Sequence, residues 1–275
     1  MDGWLKESHS SGHYVAWKIE KTIYEENTGV QDLAIVELAH FGRALILDGA
    51  VQTTIGDEFI YHEMIVHVAM NTHPEPRRIL IIGGGDGGTM REVLKHSSVE
   101  RVDLVEIDRR VIEVCQEFLP EIASGFQNPR SRIFIEDGIA FVKNSSEKYD
   151  VIIIDSSDPI GPAQELFKES FYKNCRDILN DDGIMVAHAE SPVFFEDTFL
   201  EVIHNMKRLF AIQGVYLTAV PTYISGFWAF VIGSKKYDPA QPPGDKPPIH
   251  GLKYYNKQIH NAAFVLPPFI EGLLT

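Results

Sequence analysis

Gly83-Gly84-Gly85-Asp86-Gly87-Gly88 follows the apolar run Ile79-Leu80-Ile81-Ile82 and opens a helical segment, Met90 to Lys95. Glycines at that junction let the backbone approach a nucleotide where an open α/β sheet binds it, and their spacing fits the G-x-G-x-x-G fingerprint. Read alone, they also suit a mere tight turn. Glu106 ends the next apolar run, 21 positions beyond Gly85, where a carboxylate accepts both hydroxyls of an adenosine ribose. Two more acids end the following runs: Asp137, with Gly138 behind it, and Asp155. Three successive strands ending in carboxylates mark a ligand crevice, although each acid singly is also a fitting helix N-cap. Asp155-Ser156-Ser157-Asp158-Pro159 sets two carboxylates three positions apart on one loop. There they can face a common cation, an organic amine or a divalent metal; other clustered metal ligands are lacking nearby.

His62-Glu63-Met64-Ile65-Val66-His67 imitates the zinc-protease helix H-E-x-x-H, but its second histidine stands five positions on rather than four. On an α-helix that turns the imidazoles about 140° apart, so they cannot share a zinc as that motif does. His67 reads as a packed histidine. His62, beside Tyr61, is expected to face the crevice.

Positioning these groups requires a sheet. Short apolar runs at 79–82, 102–105, 133–135, 151–154 and 184–187 alternate with helix-length segments, which predicts a mostly parallel sheet covered by helices. The runs around Val215-Tyr216-Leu217 and from Phe227 to Ile232 are joined by a loop too short for a crossover helix, so they should pair antiparallel. Upstream, from Trp17 to about Thr54, apolar and polar residues alternate, and Asp48-Gly49 between two such runs signals a hairpin. Helical spacing follows from Glu58 to Thr72 and is closed by Pro74 and Pro76. The expected fold class is α/β, a doubly wound sheet in residues 57–275 behind a small β-hairpin domain in 1–56. Pro239 to Pro248 reads as a surface loop and Leu252 to Leu274 as a tail returning to the body.

Composition narrows the partners. With 275 residues, 44% of them hydrophobic, the chain can bury a large core. Its 25 Lys and Arg against 39 Asp and Glu leave a formal charge of −14, which disfavours nucleic acid, because phosphate contacts need clustered cations. The same excess suits cationic small molecules. Cys115 and Cys175, both in helix-like runs, point to core packing in a reducing compartment. No basic region precedes an apolar stretch at the N-terminus, and no apolar run approaches the ~20 residues of a membrane span, so the expected location is cytoplasmic without a membrane partner.

Tyr61-His62-Glu63-Met64, Gly83 to Gly88, Val105-Glu106-Ile107-Asp108, Asp155-Ser156-Ser157-Asp158-Pro159-Ile160-Gly161-Pro162, Pro221-Thr222-Tyr223, and the tail Lys253-Tyr254-Tyr255 through Ala262-Ala263-Phe264-Val265-Leu266-Pro267 carry a further signal. On them the chain resembles the spermidine synthases, which are polyamine aminopropyltransferases, from its N-terminal hairpins to its last residues. The resemblance implies an N-terminal β domain, a Rossmann-like domain of the class I methyltransferase type, and dimers or tetramers. It implies transfer of an aminopropyl group from decarboxylated S-adenosylmethionine, a co-substrate rather than a cofactor, to an amine. The usual amine is putrescine, and methylthioadenosine is left. Carried over by position, Gln31, Gly83, Gly85, Glu106, Asp137, Gly138 and Pro162 resemble donor contacts, with Glu106 on the ribose and Asp137 on the adenine amino group. Asp86 resembles the acid that meets the aminopropyl ammonium. Asp155 matches the proposed base, and Tyr61, His62, Asp158 and Tyr223 match the amine-holding groups.

Physical chemistry agrees. The ordinary donor of methyltransferases carries a carboxylate that the decarboxylated form lacks; at ~4 Å from Asp86, with an effective dielectric of ~20, the two anions would repel by about 4 kcal/mol. Methyltransferases can also carry an acid in this loop, so Asp86 by itself does not choose between the two activities. A diamine arrives doubly protonated and must lose a proton to attack. A carboxylate with pKa near ~4 is about six units too weak to hold that proton in the ground state, an uphill cost of ~8 kcal/mol. Asp155 is therefore expected to orient the amine and take the proton as the C–N bond forms. Two departures bear on the acceptor. His188-Ala189-Glu190-Ser191-Pro192-Val193 stands where related bacterial chains often show Gln and then Pro-Trp, and Ile224 follows Pro-Thr-Tyr where they commonly have Pro. If Val193 replaces a ring at the far end of the pocket, a longer acceptor such as agmatine or a triamine fits, with Glu190 meeting its extra charge; drift outside the site accounts for the same changes. The remaining alternatives are a small-molecule methyltransferase, a nicotinamide oxidoreductase suggested by the glycine spacing, and a non-catalytic binding protein that has kept the fold.

Overall fold

Ile79 and Ile81 join one hydrophobic cluster and Leu80 and Ile82 the other, the period-two alternation of a strand covered on both faces. The computed structural model describes residues 3–10, 12–157, 161–224, 227–242 and 246–274, with backbone alone at 9–10 and 161–163. Its first sheet is antiparallel in chain order: β1 (Gly3–Ser10), β2 (His13–Asn27), β3 (Asp32–Leu38), β4 (Gly42–Leu47) and β5 (Ala50–Thr54). Alternation reads this region as hairpins, and the structure extends the sheet upstream to Gly3. β3 is buried on both sides. Ala34 and Val36 pack within this sheet's own cluster, whereas Leu33 and Ile35 join the main core, so the small sheet is fastened to the larger body by an apolar face.

Helix α1 (Glu58–Thr72) follows the first sheet in the chain and has buried residues all around it, as expected of a helix without a solvent face. Then come β6 (Arg78–Gly83), α2 (Gly88–Val93), β7 (Arg101–Glu106), α3 (Arg109–Phe118), β8 (Ser131–Ile135), α4 (Gly138–Asn144) and β9 (Tyr149–Asp155). α5 (Glu169–Asp177), β10 (Leu179–His188), α6 (Glu196–Leu209), β11 (Ile212–Ala219), β12 (Phe227–Ser234), α7 (Lys257–Ala263) and α8 (Pro268–Leu273) complete the strands and α-helices among the described residues. The second sheet has the order β11-β12-β10-β9-β6-β7-β8. β6 to β10 run parallel, and β12 is antiparallel to both β10 and β11. This is the expected doubly wound α/β sheet with an antiparallel edge. Each fully buried Ile or Leu contributes about 1.5–3 kcal/mol by leaving water.

The tail is tied back through Glu63, whose carboxylate accepts the backbone N–H groups of Lys253, Tyr254 and Tyr255 at 2.7–2.8 Å. Cys115 and Cys175 are free buried thiols, in α3 and α5. Among the described residues no helix is long and apolar enough to cross a membrane.

Candidate active site

β6 has β7 on one side and β9 on the other, so strand order reverses at the glycine loop, where open α/β sheets bind ligands. A cavity of about 430 Å³ opens there, a size suited to a small molecule. It brings together Gln31, Gly83, Gly85, Asp86, Glu106, Asp137, Gly138, Tyr61, His62, Asp155 and Tyr223, residues the sequence scatters over nearly two hundred positions. Asp158 lies outside the described residues. Pro162 is described by backbone only, in the short 3-10 turn Gly161–Phe167.

Several glycines of the loop are required by space, two of them by side chains at the cavity wall. A Cβ on Gly85 would stand 2.9 Å from Glu106 Oε2, and one on Gly88 would stand 2.2 Å from the His62 ring. The absent side chains seat one acid and one imidazole at the cavity wall.

His62 faces the cavity from α1, as expected, but shares its charge with two acids. Its Nδ1 meets Glu58 Oε2 at 2.6 Å and its Nε2 meets Asp86 Oδ2 at 3.3 Å. Burial works against the imidazolium, yet Asp86 and Glu58 outweigh it and hold His62 well above its ordinary pKa. Arg91 holds Glu58 from behind at 2.7 Å. Asp86 also accepts the Gly88 N–H at 2.8 Å. Burial raises its proton affinity, and His62 more than reverses this. Asp86 is therefore one member of an ionic chain rather than the isolated charge the sequence suggests, which softens its repulsion of a donor carboxylate.

Asp155, at the end of β9, has both oxygens held by hydroxyls: Tyr61 donates to Oδ1 at 2.7 Å and Thr89 to Oδ2 at 2.6 Å. Burial and then the neighbouring Asp86 push its pKa up, against the opposing effect of His62 and the two hydroxyls. This narrows the gap between carboxylate and amine relative to an exposed aspartate. Glu106 is raised to about 7, chiefly by burial. Its Oε1 accepts the Asp108 N–H at 2.9 Å. Gln31, reaching over from the small sheet, donates to Asp108 Oδ2 at 3.0 Å. Asp137 does cap α4, accepting the Ile139 N–H at 2.8 Å, and it lines the cavity as well; the two readings of that acid coexist.

The other end of the cavity is aromatic and acidic. Tyr61 and Tyr223 rings lie 5.6 Å apart, Tyr223 and Trp228 rings 4.5 Å apart, and His188 stacks on Trp228 at 5.9 Å. The Tyr223 hydroxyl donates to the Gln52 carbonyl at 2.8 Å. Glu190 is fully buried, adopts a left-handed φ of 63°, and has no hydrogen-bond partner on either carboxylate oxygen among the described residues. Its ion-pair neighbour is His188 Nδ1 at 3.4 Å. Strand pairing flanks the strained residue: Ala189 N–H donates to Ala229 O, and Ala229 N–H donates to Glu190 O. Such strain costs on the order of 1–3 kcal/mol and persists only where the surroundings impose it. Ile224 lines this end. Val193 does not; its side chain is half exposed, because the turn after Glu190 carries it outward, so no space at the pocket end derives from it.

Sequence reading passed over Thr89, Glu58, Arg91, Glu7 and Trp228. Glu58 was legible, since it stands one helical turn before His62. Thr89 sits directly behind the glycine loop, but nothing in its neighbours names Asp155, 66 positions away. His67 is a packed histidine, enclosed by Glu92 and His96 at 3.0 Å each. No group of three His, Cys, Asp or Glu among the described residues is placed to hold a metal ion.

Residues 58–241 match the spermine/spermidine synthase domain, and residues 3–54 match the spermidine synthase tetramerisation domain. The polyamine aminopropyltransferase of Caldicellulosiruptor bescii is 48% identical, covering 100% of this chain and 99% of its own. That of Clostridium kluyveri is 47% identical, covering 99% of each. The crystal structure of spermidine synthase from Thermotoga maritima superposes with a TM-score of 0.92 at 39% identity, over 99% of this chain and 94% of that one. A crystal structure of spermidine synthase in complex with the transition-state analogue AdoDATO also gives 0.92 at 39%, over 98% and 94%. With a fold, a crevice and a full-length likeness in accord, the chain belongs to the spermine/spermidine synthase family.

Proposed function

We propose that this protein transfers the aminopropyl group of decarboxylated S-adenosylmethionine to putrescine, giving spermidine and methylthioadenosine. One observation carries the reading. The described residues lining the cavity include eight carboxylates, Glu7, Asp48, Asp86, Glu106, Asp137, Asp155, Glu165 and Glu190, and neither lysine nor arginine. Such a wall favours two reactants that both arrive as cations.

In this mechanism Glu106 accepts the ribose hydroxyls, Gln31 lies alongside, Asp137 and Gly138 border the adenine, and Gly83 and Gly85 leave room for the chain of the donor. Asp86, with His62, faces the aminopropyl ammonium. The acceptor nitrogen loses one proton to solvent, and its lone pair forms the C–N bond as the C–S bond breaks, that electron pair staying on sulfur as a neutral thioether. Asp155 takes a second proton from the nitrogen as the C–N bond forms. The proton leaves Asp155 for solvent in the next step. Tyr61 and Tyr223 hold the distal amine by cation–π contact, together with Asp158. Residues 1–56 serve assembly into dimers or tetramers and supply Gln31.

A second reading has its own support. The strained Glu190, whose carboxylate has no hydrogen-bond partner among the described residues, lines the cavity together with Glu7, and the two suit an additional cationic group of a longer acceptor such as agmatine or a triamine. Mass-spectrometric product analysis with the decarboxylated donor and a panel of putrescine, cadaverine, agmatine and spermidine decides. Spermidine as the dominant product supports the first reading, an aminopropylated agmatine or triamine the second, and no aminopropylated amine defeats both.

A further inference from the structure

Thr89 is fully buried on the first turn of α2 and does not line the cavity, yet it makes one of the two hydroxyl contacts to Asp155. A carboxylate offers about four lone-pair positions. Tyr61, from α1, occupies one on Oδ1, and Thr89 occupies one on Oδ2. Gly84 completes the seat, since a Cβ there would come 2.9 Å from Oδ2. Free aspartates turn readily, because the terminal torsion is broad and twofold. Here two donors on two separate helices grip opposite oxygens, and the plane of the group is set.

We propose that Thr89 is a positioning residue for aminopropyl transfer: its hydroxyl, paired with that of Tyr61, fixes the Asp155 carboxylate so that its remaining lone pairs face the attacking amine. The inference rests on Asp155 being the proton acceptor. A hydroxyl donor also stabilises the carboxylate form, so its removal raises the basicity of Asp155 as well as loosening it. The other charged or titratable groups facing Asp155 are Asp86 in the glycine loop, His62 and Tyr61 on α1, and Glu106 at the end of β7.

Thr89→Val keeps the shape and deletes the donor; Thr89→Ser keeps the donor. We expect Thr89→Val to lower kcat by ~30-fold, within the roughly hundredfold range that small misplacements produce. The KM for the donor should stay within about twofold, since no donor-binding group is touched. The acidic limb of its kcat–pH profile should move to higher pH. Thr89→Ser should recover kcat to within about threefold and restore the limb. Methylthioadenosine binding, followed by calorimetry, reports whether the fold and donor site survive. Wild-type kcat in Thr89→Val, a serine variant no better than the valine one, an unmoved acidic limb, or loss of methylthioadenosine binding in Thr89→Val would each overturn the assignment. Asp155→Asn assayed in parallel separates the two claims. An active asparagine variant removes the proton acceptor itself, whereas an inactive one beside an unaffected Thr89→Val sinks only the role of Thr89.

Discussion

Two sets of buried acid, one on the scaffold side and one at the cavity, are satisfied to different degrees. Glu63 accepts three backbone N–H groups from the tail, and Asp57 accepts the Thr54 hydroxyl together with the N–H and hydroxyl of Thr222. On the cavity side, the Glu190 carboxylate has no hydrogen-bond partner among the described residues, and the pKa of Asp155 is pushed up by burial and Asp86. The two histidines of α1 repeat the contrast. His67 is sealed between His96 and Glu92, while His62 completes the wall of the cavity. A buried polar group without partners costs on the order of 1–3 kcal/mol. The saturated set therefore stabilises the fold, and the unsaturated set stores a cost that a ligand can relieve.

The sharpest way to break this contrast is at Asp155. Asp155→Asn should lower turnover by about a thousandfold or more, as expected for loss of general-base action and orientation together. Methylthioadenosine affinity should change little, and thermal stability should hold or rise because a buried charge has gone. Product assay, calorimetry and thermal melts check the three parts; a fully active variant would remove Asp155 from its role.

The opposite result is expected on the scaffold side. Glu63→Ala leaves three N–H groups and the tail without their acceptor and should cost about 3 kcal/mol of stability, read by urea unfolding. At a temperature where the variant remains folded, kcat should stay within a few-fold of wild type. A specific collapse of kcat without loss of stability would erase the distinction.

Turnover at saturating donor should rise between pH 7 and 9, since the attacking amine has to shed a proton and its neutral fraction grows by up to about tenfold per unit below its pKa. A flat or falling profile contradicts proton removal from that nitrogen.

Glu106 tests the set by titration. Burial above all raises it to about 7, well over its unfolded value, so its contribution to the stability of the ligand-free protein is present at low pH and lost as pH rises through about 7. A ribose that donates two hydroxyls prefers the carboxylate, so binding releases a proton and weakens as pH falls below 7. Methylthioadenosine should bind roughly 5–10-fold more weakly at pH 6 than at pH 8, and Glu106→Gln should bind weakly at both. Calorimetry in buffers of different ionisation enthalpy measures the released proton directly; equal affinity at the two pH values in the native protein would overturn the assignment.

The smallest effect is expected at Glu190. Glu190→Gln should raise the melting temperature by ~2–4 °C, because a buried carboxyl whose oxygens lack hydrogen bonds is costly to keep and an amide is cheaper to bury. It should also raise KM for the preferred amine while sparing the donor. A lower melting temperature would show that Glu190 belongs to the scaffold after all.

Much of the scaffold was legible in the chain. Apolar runs of strand length located all seven strands of the large sheet, because a strand covered on both faces leaves little choice of residue. The N-terminal edge strand was missed: Trp4-Leu5-Lys6-Glu7-Ser8 carries only a weak pattern, and partner strands rather than its own residues hold it. Glu106, Asp137 and Asp155 were legible as strand-end acids, and all three line one cavity. Thr89 was not legible, since a hydroxyl's partner depends on which loop folds over it. Likeness to related chains allowed Val193 to stand in for a ring at the pocket end or to be drift outside the site, and its exposed side chain beyond the left-handed Glu190 favours the second.

Local pattern and residue type alone therefore determined the α/β architecture, the glycine loop and the acidic nature of the crevice, because periodicity, strand ends and formal charge are properties of short segments. What each acid does was decided only by the tertiary structure. A carboxylate's proton affinity and its remaining lone pairs depend on burial and on partners far away in the chain: Tyr61 and Thr89 for Asp155, His62 for Asp86, the tail for Glu63. Those distances come into being only when the large sheet, the glycine loop and the tail pack against α1.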